Sequence, residues 1–203
     1  TVSLGILKSD TMKFNPPLPK DKLEAIKGLG FSGGIKILIK FKNFFWPKNT
    51  FYIYTNGEGV VPLYYVTSGG GRSDHDYVLT GFFTGNKAKK FNGKEKELII
   101  QVKKQLATLF NLELSVLEDN ILKCLVQNWS EEPFISGAYS FIKLNEAKKD
   151  HRKNLAKNVN EKLFFAGEAT SVNFSSTIQG GLNTGIIAAE DTFNCIMSFK
   201  NKK

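Results

Sequence analysis

Apolar and polar positions alternate most regularly at residues 35–42, where Ile35, Ile37, Ile39 and Phe41 interleave with Lys36, Leu38, Lys40 and Lys42. A period of two puts the first set on a core and the second on the opposite face, so this segment is a half-buried strand. Further strands are expected at 50–55, 61–67 and 77–83, bounded by Asn56-Gly57 and the Gly69–Gly71 run, and another at 121–129. The glycine run is read as a hairpin connection, because a phosphate cradle needs a helix next and a strand follows instead. The period changes at 95–110, where Leu98, Val102, Leu106 and Leu109 recur at helical spacing. A shorter helix is expected at 20–27, stopped by Gly28 and Gly30 and preceded by an extended connection that Pro16, Pro17 and Pro19 impose. Residues 1–8 read as the exit of a strand into a loop, and 143–157 as a polar connector, partly helical.

Near the C-terminus the apolar run 163–166 stops abruptly at Gly167 and Glu168, as a short buried strand ending in a turn would. A loop then leads to Thr177, beyond which Ile178, Leu182, Ile186, Ala189 and Phe193 fall at helical spacing. Gly180, Gly181 and Gly185 weaken that long amphipathic helix, so their use is close approach to a sheet or a ligand. Strand, turn, loop and helix start together can hold a dinucleotide or a flavin at a helix N-terminus.

Composition narrows this reading. A chain of 203 residues, 41% hydrophobic and 12% aromatic, is globular and long enough for one or two domains. Its apolar runs are too short to cross a bilayer, and the first residues lack the charged and apolar regions of a secretory signal. The expected setting is intracellular, cytoplasm or nucleus, with no membrane partner. Thr1 is not a start methionine, so the chain is read as trimmed or as a piece of a longer one. The net charge of +9 invites a nucleic-acid partner, but lysine supplies nearly all of it; Arg72 and Arg152 are the only arginines. Specific phosphate and base recognition favours the guanidinium fork, so the lysines are assigned to solvated faces and no nucleic acid is expected. Cys124 and Cys195 are far apart and read as buried thiols of a reducing compartment. His75 and His151 have no partner at ligand spacing, and no metal site is proposed.

Several segments carry a resemblance. Leu163 to Thr170 with Thr177 to Gly181, Thr1 to Lys8, Phe14 to Pro19, Lys36 on its strand, and Trp129 through Pro133 to Gly137-Ala138-Tyr139-Ser140 stand in one order. Together they resemble the flavin-containing amine oxidases, the family of polyamine oxidases, monoamine oxidases and flavin-dependent lysine-specific histone demethylases. The likeness runs over nearly the whole chain. It implies an α/β (α+β) fold of two interleaved regions: FAD-binding at 1–32 and 148–203, and substrate-binding with a mixed sheet at 33–147. The family opens with a strand, a Gly-x-Gly-x-x-Gly turn and a helix for the adenosine diphosphate portion of FAD. This chain contains no such segment, which is expected upstream; the alternative is a non-catalytic remnant or interaction module.

The resemblance also assigns roles. The helix start at Thr177 and Ile178 faces the pyrimidine edge of the flavin, where it would stabilise the negative charge of the reduced ring; by itself it reads as an ordinary cap. Glu168, after Gly167 in the turn, accepts hydrogen bonds from the cofactor, or else caps a neighbouring helix. Lys36 corresponds to the lysine that holds a water against flavin N5, whereas the charge run alone reads as a solvated face. Tyr139 lines the substrate site with its aromatic face, and Trp129 packs and shapes the site from beneath. Ala138 stands where monoamine oxidases have the cysteine bonded to flavin, so FAD should be non-covalent. Thr177 replaces their second cage tyrosine, which moves the likeness towards polyamine oxidases and histone demethylases. Asp74, Asp76, Glu131 and Glu132 are surface charges or ammonium-binding groups, and Gln179 takes a place often held by histidine. The implied reaction passes hydride from the carbon beside a neutral amine to flavin. The imine then hydrolyses, and oxygen restores the flavin and yields hydrogen peroxide. Polyamine is the first-choice substrate and methylated lysine the second.

Overall fold

The computed structural model describes residues 1–9, 11–68 and 76–200, so the Gly69–Gly71 run, Arg72, Asp74 and His75 lie outside the described residues. The chain forms two compact units, Thr1–Ser32 with Glu132–Lys203, and Gly33–Glu131. Residues 132–147, grouped above with the substrate region, pack in the first of these.

The unit Gly33–Glu131 is built on a five-stranded sheet. Its strands are β2 (Gly34–Phe41), β3 (Tyr52–Tyr54), β4 (Leu63–Ser68), β5 (Tyr77–Thr84) and β6 (Ile121–Asn128), in the order β3-β4-β5-β2-β6. Every pairing is antiparallel, where a mixed sheet was expected. The consecutive strands β3, β4 and β5 suit antiparallel pairing, since a parallel pair needs a long crossover, whereas β2 meets β5 and β6 antiparallel across longer separations. The alternation in β2 behaves as its period dictates: Ile35, Ile37, Ile39 and Phe41 are buried, and Lys36 is exposed. Helix α4 (Glu95–Leu109) covers that apolar face with Leu98, Val102 and Leu106, all fully buried. Each such side chain contributes about 1.5–3 kcal/mol by leaving water. Two short helices, α3 (Gly85–Lys89) and α5 (Leu114–Asn120), precede α4 and β6, and neither was expected; each is too short for a helical period to show.

The other unit opens with α1 (Leu4–Lys8), not with a strand exit. Ser3 decides it: its Oγ accepts the Ile6 N–H at 3.2 Å, an N-cap that starts a helix and buries Leu4 and Ile6. Helix α2 (Lys20–Gly28) follows and runs into β1 (Leu29–Ser32), which pairs antiparallel with β7 (Ala138–Ile142). Both strands escape a period test because they are short and contain small residues. Helix α6 (His151–Ala156) lies in the connector, and α7 (Ile178–Lys200) is the long C-terminal helix.

Lysine ammonium groups close the helices of this unit. Lys22, only 2% exposed, donates from α2 to the carbonyls of Asn154, Leu155 and Lys157 at the end of α6 and sits 3.8 Å from the Phe165 ring centroid. Lys8 and Lys143 do the same for α2, meeting the carbonyls of Ile26 and Lys27. A cation at a helix C-terminus satisfies orphan carbonyls and opposes the macrodipole. Part of the lysine excess therefore serves the fold and not a solvated face.

The expected strand at 163–166 is absent. Leu163 makes an isolated bridge to Val159, and residues 164–166 run extended without a ladder. An apolar extended segment becomes a strand only when a neighbour supplies donors and acceptors, and none of the described residues does so.

Candidate functional site

The turn that ends this extended run is held by two opposite devices. Gly167 sits at φ +135°, a conformation nearly closed to residues with a side chain, and a Cβ there would meet nothing within 4 Å. Its carbonyl accepts from the Thr170 N–H and hydroxyl, and its N–H donates to Thr184 Oγ1 on α7 at 3.0 Å. Glu168 opens the 3₁₀ turn Glu168–Thr170. Its Oε1 accepts the Ser140 N–H at 3.0 Å, while Oε2 accepts the Ser140 hydroxyl at 2.6 Å and the Ser176 N–H at 2.8 Å. One carboxylate thus ties β7, the turn and the loop before α7 together.

The start of α7 is capped by Thr177, whose Oγ1 accepts the Gly180 N–H at 3.1 Å and donates to the Phe174 carbonyl. Ile178 and Gln179 open the helix, where the first N–H groups lack an intrahelical acceptor, and both side chains are exposed, Ile178 at 92%. Gly180 is the close-approach glycine: a Cβ there would stand 1.9 Å from the Phe174 carbonyl oxygen. Its neighbour is a loop, not a sheet. Gly181 and Gly185 face open space or light contact.

A cleft of about 620 Å³ lies beside the Gly167-Glu168 turn. Phe31, Phe134, Phe165, Ala138 and Tyr139 supply its largely apolar wall, with Gly167 and Glu168 at one side. The volume is that of a small-molecule or cofactor site. The structure therefore brings Tyr139, Ala138, Gly167 and Glu168 to one cleft. Thr177 is joined to it through the neighbouring Ser176 N–H on Glu168 and does not line it.

Lys36 and Trp129 belong to the other unit. Lys36 lies on the exposed face of the interior strand β2, opposite Phe82 on β5 and Gln127 on β6, with Nζ 5.9 Å from the Phe82 ring centroid. Lys40, on the same face, pairs with Asp76 at 2.5 Å. Asp76 thus has an internal use, and Glu131 accepts the Gly93 N–H. Trp129 continues past β6, donating its backbone N–H to the Gly34 carbonyl at 2.9 Å, and is half-buried outside the unit's buried core. Both cysteines are free and only partly buried, where full burial was expected. Among the described residues no three His, Cys, Asp or Glu side chains are grouped to hold a metal. No helix there is long and apolar enough to cross a membrane.

The donor set fits a flavin. A flat ring with one polar edge needs apolar walls, free N–H groups and hydrogen-bond acceptors. The cleft has the walls, and Glu168 at its side, with three of about four acceptor positions used, retains one on Oε1; the N–H groups stand at the start of α7, outside the lining and joined to Glu168 through Ser176.

Comparison with known proteins decides the family. The description "Flavin containing amine oxidoreductase" matches residues 1–192 of this chain. The chain belongs to that family. The chain is 33% identical over 194 residues to Lysine-specific histone demethylase 1 homolog 2 of Oryza sativa subsp. japonica, covering 92% of the chain and 24% of that protein. It is 34% identical over 193 residues to Polyamine oxidase 2 of Arabidopsis thaliana, covering 94% and 37%. Lysine-specific histone demethylase 1 homolog 2 of Arabidopsis thaliana is 31% identical over 194 residues, with coverage of 92% and 25%. The chain thus spans about a quarter to a little over a third of the length of these relatives.

Motif reading missed Ser140, Ser176 and Arg152, which complete the site's hydrogen bonding. Arg152 is buried and donates from Nη1 to Ser140 Oγ at 2.7 Å and to the Ala169 carbonyl at 3.0 Å, and from Nη2 to the Ser140 carbonyl at 3.4 Å. A signal was present: with only one other arginine in the chain, a guanidinium here marks a place where a lysine would not serve.

Proposed function

We propose that this chain is the FAD-linked catalytic part of an amine oxidase, acting on a polyamine. The observation that carries the proposal is the meeting of the Gly167-Glu168 turn and Tyr139 at one apolar cleft, with the start of α7 tied to that turn, in a member of a flavin-containing family. Bound FAD would supply the hydride acceptor for the carbon beside the amine, and oxygen the terminal oxidant.

The protein's own residues provide placement and environment. The free acceptor position on Glu168 Oε1 suits a cofactor hydroxyl, and the helix-start N–H groups of Ile178 and Gln179 suit a polarised carbonyl or a developing anion. With Ala138 in place of a cysteine, holding is non-covalent. The half-buried phenyl rings of Phe31 and Phe165 keep water from that part of the wall, which strengthens polar contacts made beside them. The Tyr139 ring presents a face to the aliphatic carbons of an amine. Lys36, an exposed ammonium with a ring beside it, orders a water for proton movement. Neutral amine is the reacting form, so a site that desolvates it favours loss of its proton.

A second reading, oxidation of methylated lysine in a peptide, is favoured by the demethylase names of two relatives. The protein purified from its complete reading frame distinguishes these. A yellow protein whose visible absorption bleaches without oxygen on adding spermine or spermidine supports the first. Bleaching only with a methyl-lysine peptide replaces it with the second. A colourless protein that binds no added FAD defeats both and leaves an interaction module.

A further inference from the structure

Arg152 is buried and does not line the cleft, yet its hydrogen bonds reach Ala169 in the lining and, through the Ser140 hydroxyl, the Glu168 carboxylate. Its guanidinium can only donate and the Glu168 carboxylate can only accept. Between them stands the Ser140 hydroxyl, 2.7 Å from Arg152 Nη1 and 2.6 Å from Glu168 Oε2. That hydroxyl must therefore accept from Arg152 and donate to Glu168; its direction is fixed by its neighbours. The Ser140 carbonyl in turn accepts from Arg152 Nη2 and from the Ser176 hydroxyl, the latter at 2.7 Å. Four segments, α6, β7, the Glu168 turn and the approach to α7, are locked by one charge pair bridged through a serine.

Building on the flavin reading above, we propose that Arg152, acting through Ser140, is a positioning residue that sets both the geometry and the electrical balance of the cofactor site. Ser140 follows Tyr139 on β7, Ser176 precedes Thr177, and Glu168 follows Gly167, so the bridge fixes all three elements at once. Its charge has a second consequence. Arg152 offsets the half-buried Glu168 carboxylate, which otherwise opposes the negative charge that a flavin gains on reduction. Lysine in its place keeps the charge and loses the fork.

The test uses protein from the complete reading frame, with FAD as the probe. Binding is read by flavin fluorescence, and the midpoint potential of the bound flavin by dye-linked reduction. Ser140→Ala weakens FAD binding about tenfold, the scale of one lost hydrogen bond to a charged group, with a melting temperature within a few degrees of wild type. Arg152→Met weakens binding as well and shifts the potential lower, and the double variant Arg152→Met/Glu168→Gln returns the potential towards wild type. Arg152→Lys keeps the potential and not the affinity. If Arg152→Met does not fold, Arg152→Lys decides: wild-type FAD affinity in that variant overturns the proposal. Wild-type potential and affinity in a folded Arg152→Met also overturn it, leaving the flavin site itself intact. Wild-type protein that binds no FAD removes the flavin reading and this proposal together.

Discussion

Lys36 shows how little a residue's type says about its task. It shares an open sheet face with Lys40, yet Lys40 is matched by Asp76 while Lys36 stands over the Phe82 ring. An exposed side chain with that packing contributes little to stability, within about ±0.5 kcal/mol. Lys36→Met is therefore expected to melt with wild type, to retain FAD, and to turn over amine more slowly when oxygen uptake is followed. Equal turnover would take Lys36 out of the mechanism. Glu168 teaches the converse: three protein donors already occupy it, so its cofactor role rests on one remaining acceptor position.

At the scale of elements, helix ends decide how the terminal unit is put together. Burial lowers the Lys22 pKa to about 8, with Asp21 opposing and Lys157 adding to that shift, so the side chain is still an ammonium at neutral pH. Lys22→Met keeps the aliphatic bulk and strips the donors from the end of α6. A loss of about 1–3 kcal/mol in urea unfolding is expected, the cost of leaving buried carbonyls unpaired. The approach to the same helix is held by Glu146, whose Oε2 lies 2.9 Å from Lys149 Nζ and 2.6 Å from His151 Nε2. Hydrogen bonds from Lys149 and His151 hold the Glu146 carboxyl below its ordinary value of 4.5. A depressed carboxylate stabilises the fold above the ordinary value and loses that contribution as pH falls through the folded one. Glu146→Gln should thus lower stability at pH 7 and flatten its decline below about pH 4.5 in acid-dependent melting. An unchanged acid limb would show that this contact carries no linkage.

For the whole molecule, charge and exposed apolar surface point to different behaviour. The +9 net charge is nearly all lysine. Any association with duplex DNA should be indifferent to sequence and lost between about 50 and 200 mM salt, as gel-shift titration will read. Sequence preference surviving at the higher salt would contradict the assignment of those lysines to solvated faces and helix ends. Helix α7 is amphipathic as its spacing indicates, but Leu182, Ile186 and Phe193 are 63, 50 and 62% exposed. The spacing reported a helix correctly; it could not report what covers the helix.

The sequence by itself determined whatever depends on near neighbours. Alternation over residues 35–42 set β2 and its buried face, helical spacing set α4 and α7, and the short motifs carried the family. Only the tertiary structure decided what depends on partners distant in the chain. Ser140 meets Glu168 across a separation of 28 residues, and Lys22 meets Leu155 across 133. The run at 163–166 is apolar enough for a strand, but a strand is a pairing and no described neighbour provides one. Residues 4–8 turned helical because a serine hydroxyl found an amide three positions on. Periodicity records which side of an element avoids water, whereas hydrogen bonds between elements record where the folded chain has carried them.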